Sequence, residues 1–204
     1  MPRNLAELAH AALTAGYMPD TDGAHSVLTR LDSTTRAVVA DVSLRDNLGF
    51  VLLFHRRRDG HVAEELYAST RLGDGSWARA DHLSGGVTAI GPAGIRYGAG
   101  LSNGRSLVPF GESETCLFTG RPQADDGYEL LRFHELLVEA EADHLNVEGT
   151  SPETGLPRDR IRKSLVSPVA LFALFPGERI TVRAMVETGT GPQPLGEPYE
   201  LTGP

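Results

Sequence analysis

Hydrophobic and polar residues alternate over short runs along most of this chain, and turn residues separate the runs. The run at 49–58 stops at Asp59-Gly60 and the next run covers 61–70, which is the pattern of a hairpin with a two-residue Asp-Gly loop. Both residues of such a loop are expected to adopt positive φ. A similar run precedes them at 35–43, and others follow at 77–82, 105–110 and 114–119. The pattern predicts a β-meander over the first part of the chain.

One segment near the N-terminus shows helical periodicity instead. Apolar residues recur at i, i+3, i+4, i+7 and i+8 within residues 5–15, namely at Leu5, Leu8, Ala9, Ala12 and Leu13. Asn4 is positioned to cap the helix, and Gly16 suits a left-handed end. We expect this amphipathic helix to lie over one end of the sheet. A helix that binds a partner is the alternative.

The second part of the chain also reads as β structure. The polar segment 121–127 predicts a linker, which divides the chain into a helix-plus-meander unit (1–121) and a sandwich-like unit (122–204) that could still pack as one body. The expected strands of the second unit include Tyr128–Phe133, Leu136–Ala142, Pro168–Phe175 and Ile180–Val186. Residues 129–145 also fit a helical period, so an α+β fold with a second helix there stays open. Alternation over 138–143 favours a strand.

Charge and composition exclude several classes of function. The formal net charge is −8, and Lys163 is the single lysine beside eighteen arginines, so non-specific nucleic-acid binding is not expected. No apolar run reaches the roughly 20 residues that span a bilayer, and the N-terminus lacks the apolar stretch of a signal peptide. Cys116 is alone, so the chain forms no internal disulfide. These features predict a cytoplasmic protein with no membrane or nucleic-acid partner.

One pentapeptide matches the nucleophile turn of a serine hydrolase. Gly100-Leu101-Ser102-Asn103-Gly104 fits G-x-S-x-G, and an acid (Asp125, Asp126 or Asp143) and then His144 follow in the chain order of that catalytic triad. That fold requires a helix directly after the turn, and no helical pattern follows Gly104. A plain glycine-rich loop is the simpler interpretation, and a hydrolase that uses Ser102 is kept as an alternative.

A cluster of potential metal ligands lies close to His144. Glu139, Glu141 and Asp143 would share one face of a strand, while His144 would point to the other face. Three carboxylates on one face suit a hard cation such as Ca²⁺ or Mg²⁺. A solvated acidic strand face explains the same residues without a metal, so a metal-stabilised domain is a further alternative.

Two basic clusters and one tryptophan are the candidate binding residues. Arg56 and Arg58 share one strand face, and Arg160 and Arg162 belong to the other cluster; either pair could hold a carboxylate or phosphate. Internal ion pairing with Asp and Glu is the competing explanation. Trp77 follows a turn, where a lone tryptophan usually closes the end of a β core.

These observations predict a mainly-β protein without a complete nucleophile, metal or phosphate-binding set. We therefore expect a non-catalytic binding or interaction module that acts on a protein or peptide partner and needs no cofactor. Sheet edges and glycine-rich loops are the surfaces that such modules use. Whether the chain also forms a homo-oligomer is left open by the sequence.

Overall fold

The computed structural model describes residues 4–16, 31, 36–88, 104–150 and 160–204. In this part of the chain one helix, α1 (Leu5–Thr14), precedes a series of strands. The strands are β1 (Ala37–Arg45), β2 (Leu48–Arg56), β3 (Val62–Thr70), β4 (Asp81–Val87), β5 (Leu107–Phe118), β6 (Tyr128–Val138), β7 (His144–Thr150), β8 (Ile161–Ser164), β9 (Val169–Leu174), β10 (Arg179–Thr188), β11 (Gly191–Pro194) and β12 (Tyr199–Thr202). The mainly-β fold with an N-terminal helix is confirmed.

The strands form three antiparallel sheets. The first sheet is the meander β1-β2-β3-β4, and the middle sheet has the order β5-β6-β9. The last sheet has the order β11-β10-β7-β8, and β12 also pairs with β10. One edge of each sheet is therefore formed by β1, β9 and β8, respectively.

The three sheets and the helix stack in layers. Alternate side chains of the first and middle sheets interdigitate in one core, where the rings of Phe50 and Phe133 meet edge to face at 5.0 Å. The opposite face of the middle sheet packs on the last sheet, with Phe172 and Leu145 among the contacts. Helix α1 covers the outer face of the first sheet. The continuous apolar sequence of β9 follows from this arrangement, because both of its faces are buried.

The helix begins and ends as its sequence predicts. The Asn4 side chain accepts a hydrogen bond from the N–H of Ala6, and Gly16 has a φ of 58°. The buried residues of α1 are Ala6, Ala9, Ala12 and Leu13, which face the first sheet. No described helix is long and apolar enough to cross a membrane.

The prediction of a two-residue Asp59-Gly60 loop between β2 and β3 is wrong. The strands end with the pair Arg56 and Val62, and beyond them the N–H of Arg57 still donates to the C=O of His61, which leaves residues 58–60 as the loop. The N–H of Gly60 donates to the C=O of Arg57. Only Gly60 has a positive φ, of 87°, whereas Asp59 does not. The connection is a longer loop in which a turn is followed by a left-handed glycine, a common arrangement for three-residue hairpin loops.

The ambiguous segment 129–145 contains no helix. Strand β6 runs without interruption to Val138, and residues 139–143 form the turn into β7. The strand interpretation is confirmed, but Leu136–Ala142 is not a separate strand. Segment 121–127 is the loop of the β5–β6 hairpin, so strand pairing crosses residue 121, where the sequence predicts a boundary.

Candidate docking groove

A groove opens where edge strands of all three sheets meet. It has a volume of about 440 Å³ and is called the edge groove below. Its lining comes from β1, β7, β8, β9 and the start of β10, through Val42–Asp46, Val147, Gly149, Thr150, Ile161–Lys163, Leu171–Leu174 and Glu178–Ile180. Among the described residues, no strand pairs with the outer edges of β1, β9 or β8.

Side chains of β1 complete the hydrogen bonds of the β9 edge. The N–H of Leu171 donates to Oδ2 of Asp41 at 2.6 Å, and Nη1 of Arg45 donates to the C=O of Ala173 at 2.8 Å. A buried backbone group without a partner is costly, so these two side chains take the place of a neighbouring strand. The first and middle sheets are joined in this way without main-chain pairing.

Lys163, the single lysine, connects β8 of the last sheet to Asp41 and Val42 of β1. Nζ of Lys163 lies 2.8 Å from Oδ2 of Asp41 and donates to the C=O of Val42 at 3.0 Å. The side chain of Asp41 is only 3% exposed. Burial raises the pKa of Asp41, while the Lys163 charge opposes that rise. One carboxyl group therefore contacts elements of the middle and last sheets from its place in the first sheet.

The wall of the groove nearest β10 is also fixed by an ion pair. Nη2 of Arg45 donates to both carboxylate oxygens of Glu178, at 2.6 and 2.8 Å. Oε2 of Glu178 also accepts from the N–H of Phe175 at 3.0 Å. The Arg45 guanidinium lies over the Phe175 ring, 5.2 Å from its centre. The groove wall is thus held in place before any ligand binds.

The edge groove is basic and partly apolar. Its lining holds four cationic side chains, Arg45, Arg162, Lys163 and Arg179, and two acidic ones, Asp46 and Glu178. Three of these cations have carboxylate partners, Glu178 for Arg45, Asp41 for Lys163 and Glu187 for Arg162, so the positive charge open to a ligand is mainly that of Arg179. Two large apolar side chains at the groove are also open to solvent: Leu44 is 61% exposed and Ile161 is 63% exposed.

The backbone of Leu44 faces the groove. The C=O of Val42 points away from β2, because it accepts a hydrogen bond from Lys163. Backbone groups of alternate residues in a strand point to the same side. The N–H and C=O of Leu44 therefore point out of the sheet edge and into the groove, where they are available to an added strand.

The structure separates the two basic clusters that the sequence identifies. Arg162 lines the edge groove and lies 2.9 Å from a carboxylate oxygen of Glu187, while Arg160 precedes β8 and pairs with Glu148. Arg56 ends β2 and Arg58 lies in the following loop, at the opposite end of β2 from the β1–β2 turn that borders the groove. Strand β2 has nine residues, so its two ends lie about 26 Å apart.

Trp77 lies on the helix side of the first sheet. It packs against the cluster formed by α1 and the outer face of that sheet, and Arg71 stacks on its ring at 5.8 Å. A Cβ atom on Gly49 would lie 3.0 Å from the indole and 2.6 Å from Leu13. The absence of a side chain at Gly49 thus allows the helix and the tryptophan to approach the sheet.

The candidate hydrolase residues are only partly within the described chain. Ser102 lies outside the described residues. His144 is buried, and burial is the main cause of the lowered pKa of its imidazole. The carboxylate of Asp143 accepts a hydrogen bond from the N–H of Glu187 at 2.6 Å. The hydrolase alternative stays a prediction.

The candidate metal ligands do not share a strand face. Glu139 and Glu141 lie in the turn between β6 and β7, so the alternation that would align them with Asp143 is not realised. Within the described ranges, no group of three or more His, Cys, Asp or Glu side chains is arranged to hold a metal ion.

One chemically unusual pair was missed by the sequence analysis. Glu64 and Glu135 occupy core-facing positions of β3 and β6 and meet between the first and middle sheets. The sequence does contain a signal for the burial of this pair, because residues two apart in a strand face the same side. Glu64 lies between the core residues Val62 and Leu66, and Glu135 lies between the core residues Phe133 and Leu137. No comparable local pattern in the sequence indicates the edge groove.

Comparison with known proteins adds no family assignment. No protein-family model, no curated protein and no solved structure matches this chain.

Proposed function

We propose that this chain is a non-catalytic binding module that holds an extended peptide segment along the free edge of β1. The peptide carries acidic side chains next to apolar ones. The observation that carries the proposal is the position of Leu44, whose backbone faces a basic groove at an edge that no described strand pairs with.

Strand addition supplies the affinity in this proposal. Main-chain hydrogen bonds to an exposed sheet edge hold an extended peptide, and neighbouring pockets select its side chains. The groove borders residues 42–45 of β1 and Asp46 in the turn that follows, which corresponds to a peptide segment of about five residues, or roughly 17 Å. Apolar peptide side chains would contact Leu44 and Ile161, which are otherwise open to solvent.

The charge of the groove selects the peptide. Arg179 lines the groove and makes no ion pair with any described residue. Arg162 pairs with Glu187, and both side chains of this pair are exposed to solvent. A carboxylate on the peptide would meet these guanidinium groups, which form strong paired hydrogen bonds with carboxylates. A basic peptide would be repelled by the same surface.

The test begins with a displayed library of random twelve-residue peptides, selected on the full-length protein. We expect enriched peptides to carry Asp or Glu within two positions of Val, Ile or Leu. Their affinity is then measured by fluorescence anisotropy with Leu44→Pro, which removes the outward N–H but no hydrogen bond to β2. Loss of one main-chain hydrogen bond, together with the clash of the ring, should weaken binding about tenfold or more.

Matched variants separate the backbone effect from other causes. Leu44→Val keeps both the N–H and an apolar side chain and should bind within about threefold of wild type. Arg179→Glu should weaken binding of the acidic peptides, and Arg56→Glu, at the far end of β2, should not. Unchanged binding by both Leu44→Pro and Arg179→Glu would contradict the proposal, as would a selection that enriches no acidic peptide.

A further inference from the structure

The pair Glu64 and Glu135 lies in a part of the molecule that the proposed function does not use. Glu64 projects from β3 with Val62 and Leu66, and Glu135 projects from β6 with Phe133. The two carboxyl groups meet between the first and middle sheets and share a hydrogen bond. Two acids in contact can form that bond only when one of them carries a proton.

A small cavity adjoins the two carboxyl groups. Its volume is about 140 Å³, and besides the pair its polar lining consists of Ser84, Ser113 and Glu112 with the backbone of Gly85 and Gly86. Every polar side-chain atom in this lining is an oxygen, and no described Lys, Arg or His lines it. A water molecule occupies roughly 30 Å³, so the cavity has room for a cation and a few waters.

Glu135 lines this cavity, and one oxygen of its carboxyl group lacks a hydrogen-bond donor among the described residues. The residue is 7% exposed, and its Oε2 atom has no hydrogen-bond donor among the described residues. A Cβ atom on Gly111 would lie 2.8 Å from that oxygen, so the carboxyl group occupies space that only glycine leaves open. Burial, with the adjacent Glu64 charge, raises the pKa of Glu135 to about 8.

We propose that Glu64 and Glu135 bind a hard divalent cation, Ca²⁺ or Mg²⁺, in this cavity. Such cations take oxygen ligands, and Mg²⁺ in particular is often held by one or two carboxylates while water completes its shell. The cation replaces the shared proton and neutralises both carboxylates. Glu112 also lines the cavity, but its carboxylate lies 3.5 Å from Nε of Arg132. Among the described residues no group of three or more His, Cys, Asp or Glu side chains is arranged to hold a metal ion, so the serine hydroxyls, backbone carbonyls and water supply the remaining ligands.

The test compares thermal unfolding of the full chain in EDTA with unfolding in millimolar CaCl₂ or MgCl₂, at pH 7 and pH 9. We expect at least one cation to raise the melting temperature, more strongly at pH 9, where the proton no longer competes. Isothermal titration in buffers of different ionisation enthalpy should show release of about one proton per cation bound at pH 7.

Three variants locate the site. Glu135→Gln and Glu64→Gln keep the side-chain size and should abolish the cation effect, whereas Glu141→Gln, in the β6–β7 turn, should keep it. A melting temperature that neither cation changes at pH 9 would show that the pair binds only a proton and would overturn the proposal. A cation effect that survives Glu135→Gln but not Glu141→Gln would also overturn it.

Discussion

Replacing Asp41 by alanine should destabilise the protein more than any surface substitution near the edge groove. The carboxylate of Asp41 accepts a hydrogen bond from Leu171 of the middle sheet and pairs with Lys163 of the last sheet. The substitution leaves the Leu171 N–H buried without its acceptor. It also leaves the Lys163 ammonium without its counter-ion.

The size of the effect follows from the burial of each partner. Removing one member of a buried ion pair typically costs about 3–5 kcal/mol, and a buried N–H without an acceptor costs about 1–3 kcal/mol. The side chain of Lys163 is 17% exposed, so its ammonium can turn partly towards water. We therefore expect the free energy of unfolding to fall by about 3 kcal/mol for Asp41→Ala. Asp41→Asn keeps an oxygen acceptor and should cost about 1–2 kcal/mol.

Urea unfolding at 25 °C, followed by circular dichroism, measures these differences. Glu148→Ala breaks the exposed ion pair with Arg160 beside the same groove and should cost less than about 1 kcal/mol. A double-mutant cycle of Asp41→Asn with Lys163→Met should give a coupling energy of about 1–3 kcal/mol. The reasoning is refuted if Asp41→Ala costs no more than Glu148→Ala, or if the coupling energy is zero.

Two further predictions concern the acidic pair and the helix. Because the pKa of Glu135 is about 8 in the folded protein and 4.5 as its ordinary value, the folded state holds an extra proton between these values. In EDTA the free energy of unfolding should then fall by up to about 1.4 kcal/mol per pH unit as the pH rises through this window. Glu135→Gln should flatten this profile in urea unfolding at pH 5, 7 and 9, and an unchanged slope would contradict the assignment. Gly49→Ala should cost about 1–3 kcal/mol and shift the Trp77 fluorescence, because the new Cβ atom meets Leu13 and Trp77. Gly73→Ala, whose Cβ atom meets nothing within 4 Å, is the matched control, and an equal effect of both substitutions would exclude the close approach as the cause.

Local sequence patterns predicted the elements of this fold well. Alternation identifies the meander strands, and the cap at Asn4 and the stop at Gly16 define the helix, because each signal depends on residues a few positions apart. The two-residue loop at Asp59-Gly60 was predicted wrongly, because the dipeptide indicates only that the chain turns there. The length of the loop depends on which residues of the two strands pair last, and the dipeptide does not determine that.

The stacking of the sheets and the edge groove could not be predicted in this way. They depend on contacts between distant positions, such as the hydrogen bond from Lys163 to Val42, 121 residues apart. Lys163 is conspicuous in the sequence as the only lysine, but nothing local indicates that it reaches the edge of β1. Arg162 was a candidate binding residue because of its charge, and its place at the groove follows from the pairing of β8 with β7.

The most direct test of the proposed strand addition is amide hydrogen exchange with and without a selected acidic peptide. The account predicts that the Leu44 amide exchanges at least about tenfold more slowly in the complex, because its N–H gains a hydrogen bond to the peptide. Amides near Arg56, at the other end of the meander, should exchange at the same rate. Slowed exchange near Arg56, with no change at Leu44, would contradict the account.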